Sequence, residues 1–308
     1  MRAKLYPLLT VALVAGLLAP ALLTGCGPAP LGSKDNPVKM AFVPSQDTAR
    51  VLTSGEKLGK MLEDKTGYKF QVSVPTSYAA VIEAMGAKKI DVAWLAPFSY
   101  VLAHKKIGAQ VILTTSRFGS KSYSGQIIAH VDSGINTLAD LKGKKFAFVD
   151  PLSTSGYMYP KALLIQNGIN PDKDMQTMMA GGHDKVVIAV YNKQADAGAT
   201  YDGGPSEARL RVKTTIPDVM EKTKIIAKTE AIPNDTVSLR KDLPPDMVKK
   251  ITDALLEIAK TDDGKKALKE LYDIDGLVPG ADPDYDPIRK AVQALGIDLE
   301  VEAAKPPK

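Results

Sequence analysis

The chain has 308 residues, 44% of them hydrophobic and 24% charged, which is enough apolar side chain for one large domain or two medium ones and excludes a disordered chain. The net charge of +5 comes from lysines and acids interleaved as in KKALKELYD, and only 6% of residues are aromatic, so a nucleic-acid surface is not expected. The single cysteine, Cys26, leaves no intrachain disulfide, and stability must come from packing.

Residues 1–25 carry Arg2 and Lys4, then the apolar run LLTVALVAGLLAPALL, interrupted by Pro20, then small residues before Cys26. This is the pattern of a secretory signal rather than a spanning helix. LTGC resembles the lipobox of bacterial lipoproteins, which implies that Cys26 is lipidated and becomes the first mature residue. Residues 26–37, beginning CGPAPLGSKDNP, read as a tether to a membrane. Removal of the signal lowers the formal charge to +3.

From Val38 the pattern alternates strand and helix. VKMAFVP reads as a strand, residues 45–65 as a helix stopping at Thr66 and Gly67, YKFQVSV as an alternating strand, and YAAVIEAMGAKK as a short helix. IDVAWLA, FSYVLAHKKIG and AQVILTTS continue as strand, helix, strand. A second set follows: strand SGQIIAHV, helix TLADLKG, strand KKFAFVD, helix YMYPKALLIQNG, strand DMQTMMAG, helix HDKVVIAVYNKQ and strand ADAGATY. TKIIAKTEAI and NDTVSLR lead back as strands, residues 244–272 form a long amphipathic helical region, and DPIRKAVQALG adds a last helix before a polar tail, 301–308. The pattern predicts two α/β lobes, 38–120 with 232–300 and 121–231, each a mostly parallel sheet flanked by helices, with a ligand cleft between them. The chain is expected to cross near residues 117–122 and 229–233.

Loops at the carboxyl ends of strands face the crevice of an open α/β sheet. DPLSTSG, residues 150–156, is such a loop, and a helix starting after it presents unpaired N–H groups and a positive dipole end. Ser153, Thr154 and Ser155 add three hydroxyls, an arrangement suited to a small oxyanion; one hydroxyl alone would read as a helix cap. His183 in GGHDK opens another strand-to-helix junction and can donate to an oxyanion, whereas His104 and His130 read as surface or boundary histidines. Asp202 in TYDGGP and Asp235 in IPND stand at two further junctions. A carboxylate beside an anion repels it unless it shares a ligand proton or meets an amine on the same ligand.

SYAAVIEAM, IDVAWLAPFSYV, SYSGQIIAH, LADLKGKKFAF, DPLSTSGY, GGHDKVVIAV and ADAGATYD, in this order, resemble the phosphate, phosphite and phosphonate substrate-binding proteins of ABC importers. The resemblance covers nearly all of the mature chain; its most specific part is DPxSTSG with a Gly-His dipeptide about thirty residues on. It implies a type II periplasmic-binding-protein fold and a small phosphorus oxyanion held by Ser153, Thr154, Ser155 and His183. Tyr78 and Tyr123 would close over the ligand from the two lobes, and Asp202 and Asp235 would recognise an amine or a ligand proton. Members selective for aminoalkylphosphonates tend to carry a glutamate near Asp202; the shorter Asp followed by Gly203 and Gly204 leaves phosphite, phosphate or a small alkylphosphonate open. The implied partners are a permease and an ATPase subunit, with no cofactor, no metal, and a monomeric receptor.

Two rivals remain in the sequence. Ser155, His183 and Asp202 contain the residue types of a nucleophilic triad, so an exported hydrolase is conceivable, although no G-x-S-x-G elbow is present. The same fold could also deliver its ligand to a receptor kinase.

Overall fold

The computed structural model describes residues 28–296, 298 and 301. The signal segment, Cys26 and all but the first residue of the expected tail lie outside the described residues.

Two sheets organise the fold. The first has the order β12-β4-β11-β3-β1-β2, from β1 (Val38–Phe42), β2 (Phe70–Ser73), β3 (Val92–Leu95), β4 (Gln110–Ser116), β11 (Thr236–Leu239) and β12 (Gly276–Pro279). The second has the order β10-β5-β8-β6-β7, from β5 (Ser122–His130), β6 (Lys145–Phe148), β7 (Gln176–Met179), β8 (Ala197–Gly203) and β10 (Thr223–Pro233), with the short β9 (Ser206–Glu207) beside β8. The expected parallel pairing holds for β1 with β2 and β3, and for β6 with β7 and β8. The sheets are nevertheless mixed. Strands that enter from the opposite lobe, β5 and β11, arrive without a crossover helix and pair antiparallel with their neighbours.

Val38, Met40, Phe42, Trp94 and Val237 form one face of the first sheet. They pack on α1 (Thr48–Thr66), α9 (Pro245–Ile258) and α10 (Asp262–Tyr272) through Leu58, Leu62, Leu255 and Leu268, none more than 1% exposed. Burying each such side chain contributes about 1.5–3 kcal/mol. On the other face Ala93 and Leu95 meet α2 (Tyr78–Gly86) and α3 (Pro97–Ile107). The second sheet packs Ile128, Ala147 and Val149 on α6 (His183–Tyr191) and α7 (Ala208–Val212). Its opposite face carries Phe146 and Phe148, which stack against each other and the following turn.

Three local expectations change. TLADLKG is one 3-10 turn, Leu138–Leu141, because Asp140 Oδ2 accepts the N–H groups of Asn136 and Thr137 at 3.0 and 2.8 Å, and seven residues cannot propagate a helix against that local bond. The long return helix is two helices: Thr261 donates its hydroxyl to Ile258 O at 2.8 Å and accepts from Gly264 N at 3.0 Å, ending α9 and capping α10. β12 was not anticipated, since four residues, GLVP, carry too little pattern to be read alone.

The chain passes between the sheets twice, at 117–121 and, because Pro233 still pairs with Ser122, at 234–235. Asn234 joins the crossovers: its Nδ2 donates to Thr115 O at 3.0 Å and Ser120 O at 2.8 Å, and its own carbonyl accepts from Tyr285 Oη at 3.1 Å. The lobes meet. Thr154 Oγ1 accepts from Phe98 N at 2.9 Å, Ser99 Oγ donates to Leu152 O at 2.9 Å, and His183 N donates to Ser45 O at 2.8 Å.

Candidate ligand-binding site

The DPLSTSG loop leaves β6 and turns into one wide helical turn, Thr154–Met158, in which Met158 N donates to Ser153 O five residues back at 3.0 Å. Glycine is required on both sides of it. A Cβ on Gly156 would stand 2.3 Å from a Val149 methyl, and one on Gly125 would stand 2.9 Å from Ser155 O, so these glycines let the turn settle onto β6 and β5. The three hydroxyls then take different work. Ser153 Oγ caps its own turn, accepting from Gly156 N at 3.1 Å, and still faces the cavity with its proton. Thr154 is fully buried against the N-terminus of α3. Ser155 faces the cavity beside the Tyr123 hydroxyl.

The cavity between the lobes measures about 40 Å³, room for a few water-sized atoms. Six of the eight sequence-predicted residues meet there: Tyr78, Tyr123, Ser153, Ser155, His183 and Asp235. Two do not. Thr154 bridges the lobes behind the cavity wall, and Asp202 pairs with Lys228 and accepts from Gly204 N at 3.0 Å. Asp202 closes the tight β8–β9 connection, a turn-residue role in place of the ligand-facing role that the sequence suggested.

Sequence reasoning missed Ser45, Gln46, Trp94, Arg117, Tyr201 and Tyr272. The signal for most of them was available: Ser45 and Gln46 follow β1, Trp94 is near the end of β3, Arg117 follows β4, and Tyr201 lies near the end of β8, the same carboxyl-end position that marked DPLSTSG. Arg117 matters most. Its Nη2 donates to Asp235 Oδ2 at 2.6 Å and its Nε to Tyr272 O at 3.0 Å, with Nη1 3.4 Å from both Thr115 Oγ1 and Asn234 Oδ1. Burial works against the guanidinium charge, but Asp235 outweighs it and raises the Arg117 pKa.

Among the described residues, Arg117 and Asp235 are the only formally charged side chains on the cavity wall, and they neutralise each other. His183 is neutral as well: burial first, then the Arg117 charge, push its pKa down to about 3. Its Nδ1 lies 3.0 Å from Thr200 Oγ1, and Nε2 has no protein hydrogen bond among the described residues. Burial raises the phenols of Tyr78 and Tyr123, although the Ser153 and Ser155 hydroxyls beside them partly offset this, so both remain neutral. The wall therefore offers oriented neutral donors and one carboxylate whose charge is already matched, an arrangement that suits a small anion carrying a proton.

The hydrolase triad does not assemble. The third group that would orient His183 is a hydroxyl, Thr200, while Asp202 is held by Lys228. Among the described residues, no cluster of three or more His, Cys, Asp or Glu side chains is placed to hold a metal ion.

Two lobes joined by two short crossovers around an enclosed cavity are the architecture of a solute-binding protein. The family follows from sequence: residues 40–285 match the model of the ABC transporter, phosphonate, periplasmic substrate-binding proteins, and the chain belongs to that extracytoplasmic family of importer components. Its similarity to the phosphate-import protein PhnD of Mycolicibacterium smegmatis is 29% identity over 283 residues, 84% of this chain and 86% of that one. The phosphonates-binding periplasmic protein of Escherichia coli is 31% identical over 215 residues, 68% of this chain and 62% of that one. Among solved structures, a binding protein component of an ABC phosphonate transporter from Pseudomonas aeruginosa superposes with a TM-score of 0.77 at 25% identity, over 86% of this chain and 88% of that one. PhnD1 of Prochlorococcus marinus, solved with methylphosphonate, shares the fold at a TM-score of 0.75 and 18% identity, over 85% and 98% of the two chains. These relatives are transport proteins, and the receptor-kinase alternative finds no support among them. Among the described residues no helix is long and apolar enough to cross a membrane.

Proposed function

We propose that this chain captures phosphate, phosphite or a small alkylphosphonate by cleft closure and presents it to its permease. The observation that carries this reading is the wall itself: neutral donors from both lobes around about 40 Å³, with the Asp235 carboxylate among them. Ser153, Ser155 and His183 Nε2 hold the charged oxygens, Tyr78 and Tyr123 cover them, and Asp235 takes a P–OH. The ligand stabilises the closed form only through contacts that both lobes supply together. Because the donors are neutral, no full countercharge has to be broken on release.

The amine of an aminoalkylphosphonate has no carboxylate of its own here. Asp202 is paired with Lys228 and Asp235 with Arg117. The receptor works as a monomer, tethered through a lipid on Cys26, beside a permease and an ATPase, and performs no catalysis.

Calorimetry with phosphate, phosphite, methylphosphonate, 2-aminoethylphosphonate and sulfate tests the reading. Micromolar or tighter binding is expected for one of the first three, weaker binding for the aminoethyl compound than for methylphosphonate, and none for sulfate, which has no proton for Asp235 at neutral pH. Binding of none of the phosphorus anions, or sulfate binding best, sinks it.

A further inference from the structure

Among the described residues, six buried side-chain polar atoms have no hydrogen-bond partner. Two of the six belong to residues that line the cavity: the indole Nε1 of Trp94 and the hydroxyl of Tyr201. They come from opposite lobes, Trp94 from β3 and Tyr201 from β8. Buried donors are almost always satisfied, and one left without an acceptor in the protein at a binding cavity points to an acceptor on the ligand.

Both rings are fixed from behind. Trp94 is 1% exposed and stacks on Phe42 with centroids 5.5 Å apart. Tyr201 stands edge-on to His183 at 5.0 Å and 84°. Neither can swing out to find water without unpacking its neighbour, so each donor is held where it stands, and leaving it without an acceptor costs stability.

The two groups also differ in what they accept. An indole N–H can only donate, so it is best matched by a bare, charged ligand oxygen, whereas the Asp235 carboxylate can only accept and needs a protonated one. We propose that Trp94 Nε1 and Tyr201 Oη are ligand donors that complete the oxygen shell and orient the anion, its bare oxygens toward Trp94 and Tyr201 and its P–OH toward Asp235. This rests on the phosphorus-oxyanion reading above and assigns two residues that it does not use.

Trp94 is the only tryptophan in the chain, so full-length protein labelled with 15N-tryptophan gives one indole N–H signal. Phosphate, phosphite and methylphosphonate are titrated in parallel by calorimetry and by this signal. The expected result is a downfield move of the indole proton that saturates with the heat. Tyr201→Phe, which keeps the ring and removes only the donor, and Trp94→Phe, which removes the donor together with part of the indole, should each weaken binding about 10- to 100-fold, the size of a hydrogen bond to a charged group. Thermal unfolding without ligand controls for packing: Tyr201→Phe should unfold at or above the wild-type temperature, because only an unsatisfied donor has been removed, whereas Trp94→Phe leaves a gap beside Phe42 and should unfold below it, so its loss of affinity is read together with the indole signal. If the wild type binds an anion while the indole proton stays in place and both variants bind as tightly, the donor assignment is overturned and the phosphorus-oxyanion reading survives. If the wild type binds none of the three, that reading falls first.

Discussion

The two walls of the cleft are built differently. The second-lobe wall presents Ser153, Ser155 and His183, polar groups at the starts of helices. The first-lobe wall presents Val43, Tyr78, Trp94 and Leu95, a mainly apolar and aromatic surface at strand ends and the start of α2, with Ser45 and Gln46 beside it. Only the crossovers, with Arg117 and Asp235, bring formal charge to the cavity, and they bring it in a cancelling pair. The difference teaches an order of events. An open second lobe already presents its hydroxyls and His183 to an anion, and the first lobe adds its aromatic donors once closure excludes water and turns them into a lid.

The largest effect should come from the crossovers, since both walls depend on them. Arg117→Ala leaves Asp235 beside the cavity without its partner and removes the bond to Tyr272 O. The loss in stability should be about 3 kcal/mol, the low end for a buried pair because Asp235 keeps 23% of its side chain exposed. Urea unfolding without ligand measures it; a loss under about 1 kcal/mol would rank the pair with surface ion pairs.

Next comes the second-lobe wall. Ser155→Ala should weaken the preferred anion about tenfold or more, by removing one hydroxyl donor to a charged oxygen. Tyr78→Phe on the other wall should cost less in association rate than in dissociation rate, as expected of a lid that forms after docking. Stopped-flow measurements on the two variants test the order of events directly. If Tyr78→Phe slows association as much as Ser155→Ala does, the two walls engage the ligand together.

His183 gives the third test, through pH. Its pKa falls from the ordinary 6.5 to about 3 in the folded chain, so between those values the unfolded state binds more protons than the folded state. Stability from this residue is fully present above pH 6.5 and is lost as pH falls toward 3, with a slope of at most about 1.4 kcal/mol per pH unit. His183→Gln should flatten the unfolding profile between pH 6 and 4. Ligand affinity, for its part, should show no step near pH 6.5 that disappears in this variant, since the imidazole is already neutral there. A step of that kind would mean that His183 binds the anion as a cation.

How much of this was legible follows from where each residue sits. The STS cluster could be read because three hydroxyls and a glycine on one strand-to-helix loop are a local pattern, His183 and Asp235 because each stands at a junction between elements, and Tyr78 and Tyr123 because the family resemblance carried them. Arg117 could be placed at the end of β4 but its role could not be read, because that depends on Asp235, 118 positions away, and on the crossover geometry that pairs them. Trp94 lies in an apolar strand, where a buried tryptophan is ordinarily core, and only its unpartnered N–H separates it from Phe42 behind it. The mixed sheets were hidden for the same reason, since strand direction is set where the chain changes lobes.

Asp202 is the residue for which sequence and structure differ most, and it predicts the smallest effect. The sequence places it on an amine or a proton of the ligand, whereas in the structure the β8–β9 turn directs its carboxylate to Gly204 N and to Lys228, whose side chain is 55% exposed. An exposed partner and a turn bond are together worth about 1 kcal/mol or less. Asp202→Asn should therefore change methylphosphonate affinity less than about twofold, and it should leave the ratio of methylphosphonate to 2-aminoethylphosphonate binding unchanged. That ratio is the sharper measurement, because a carboxylate that reached the amine only in the ligand-bound state would shift it toward methylphosphonate while leaving methylphosphonate itself untouched. Should the ratio move, the Lys228 pair is a resting contact that an amine displaces, and the polar wall of the second lobe extends past His183 to the turn.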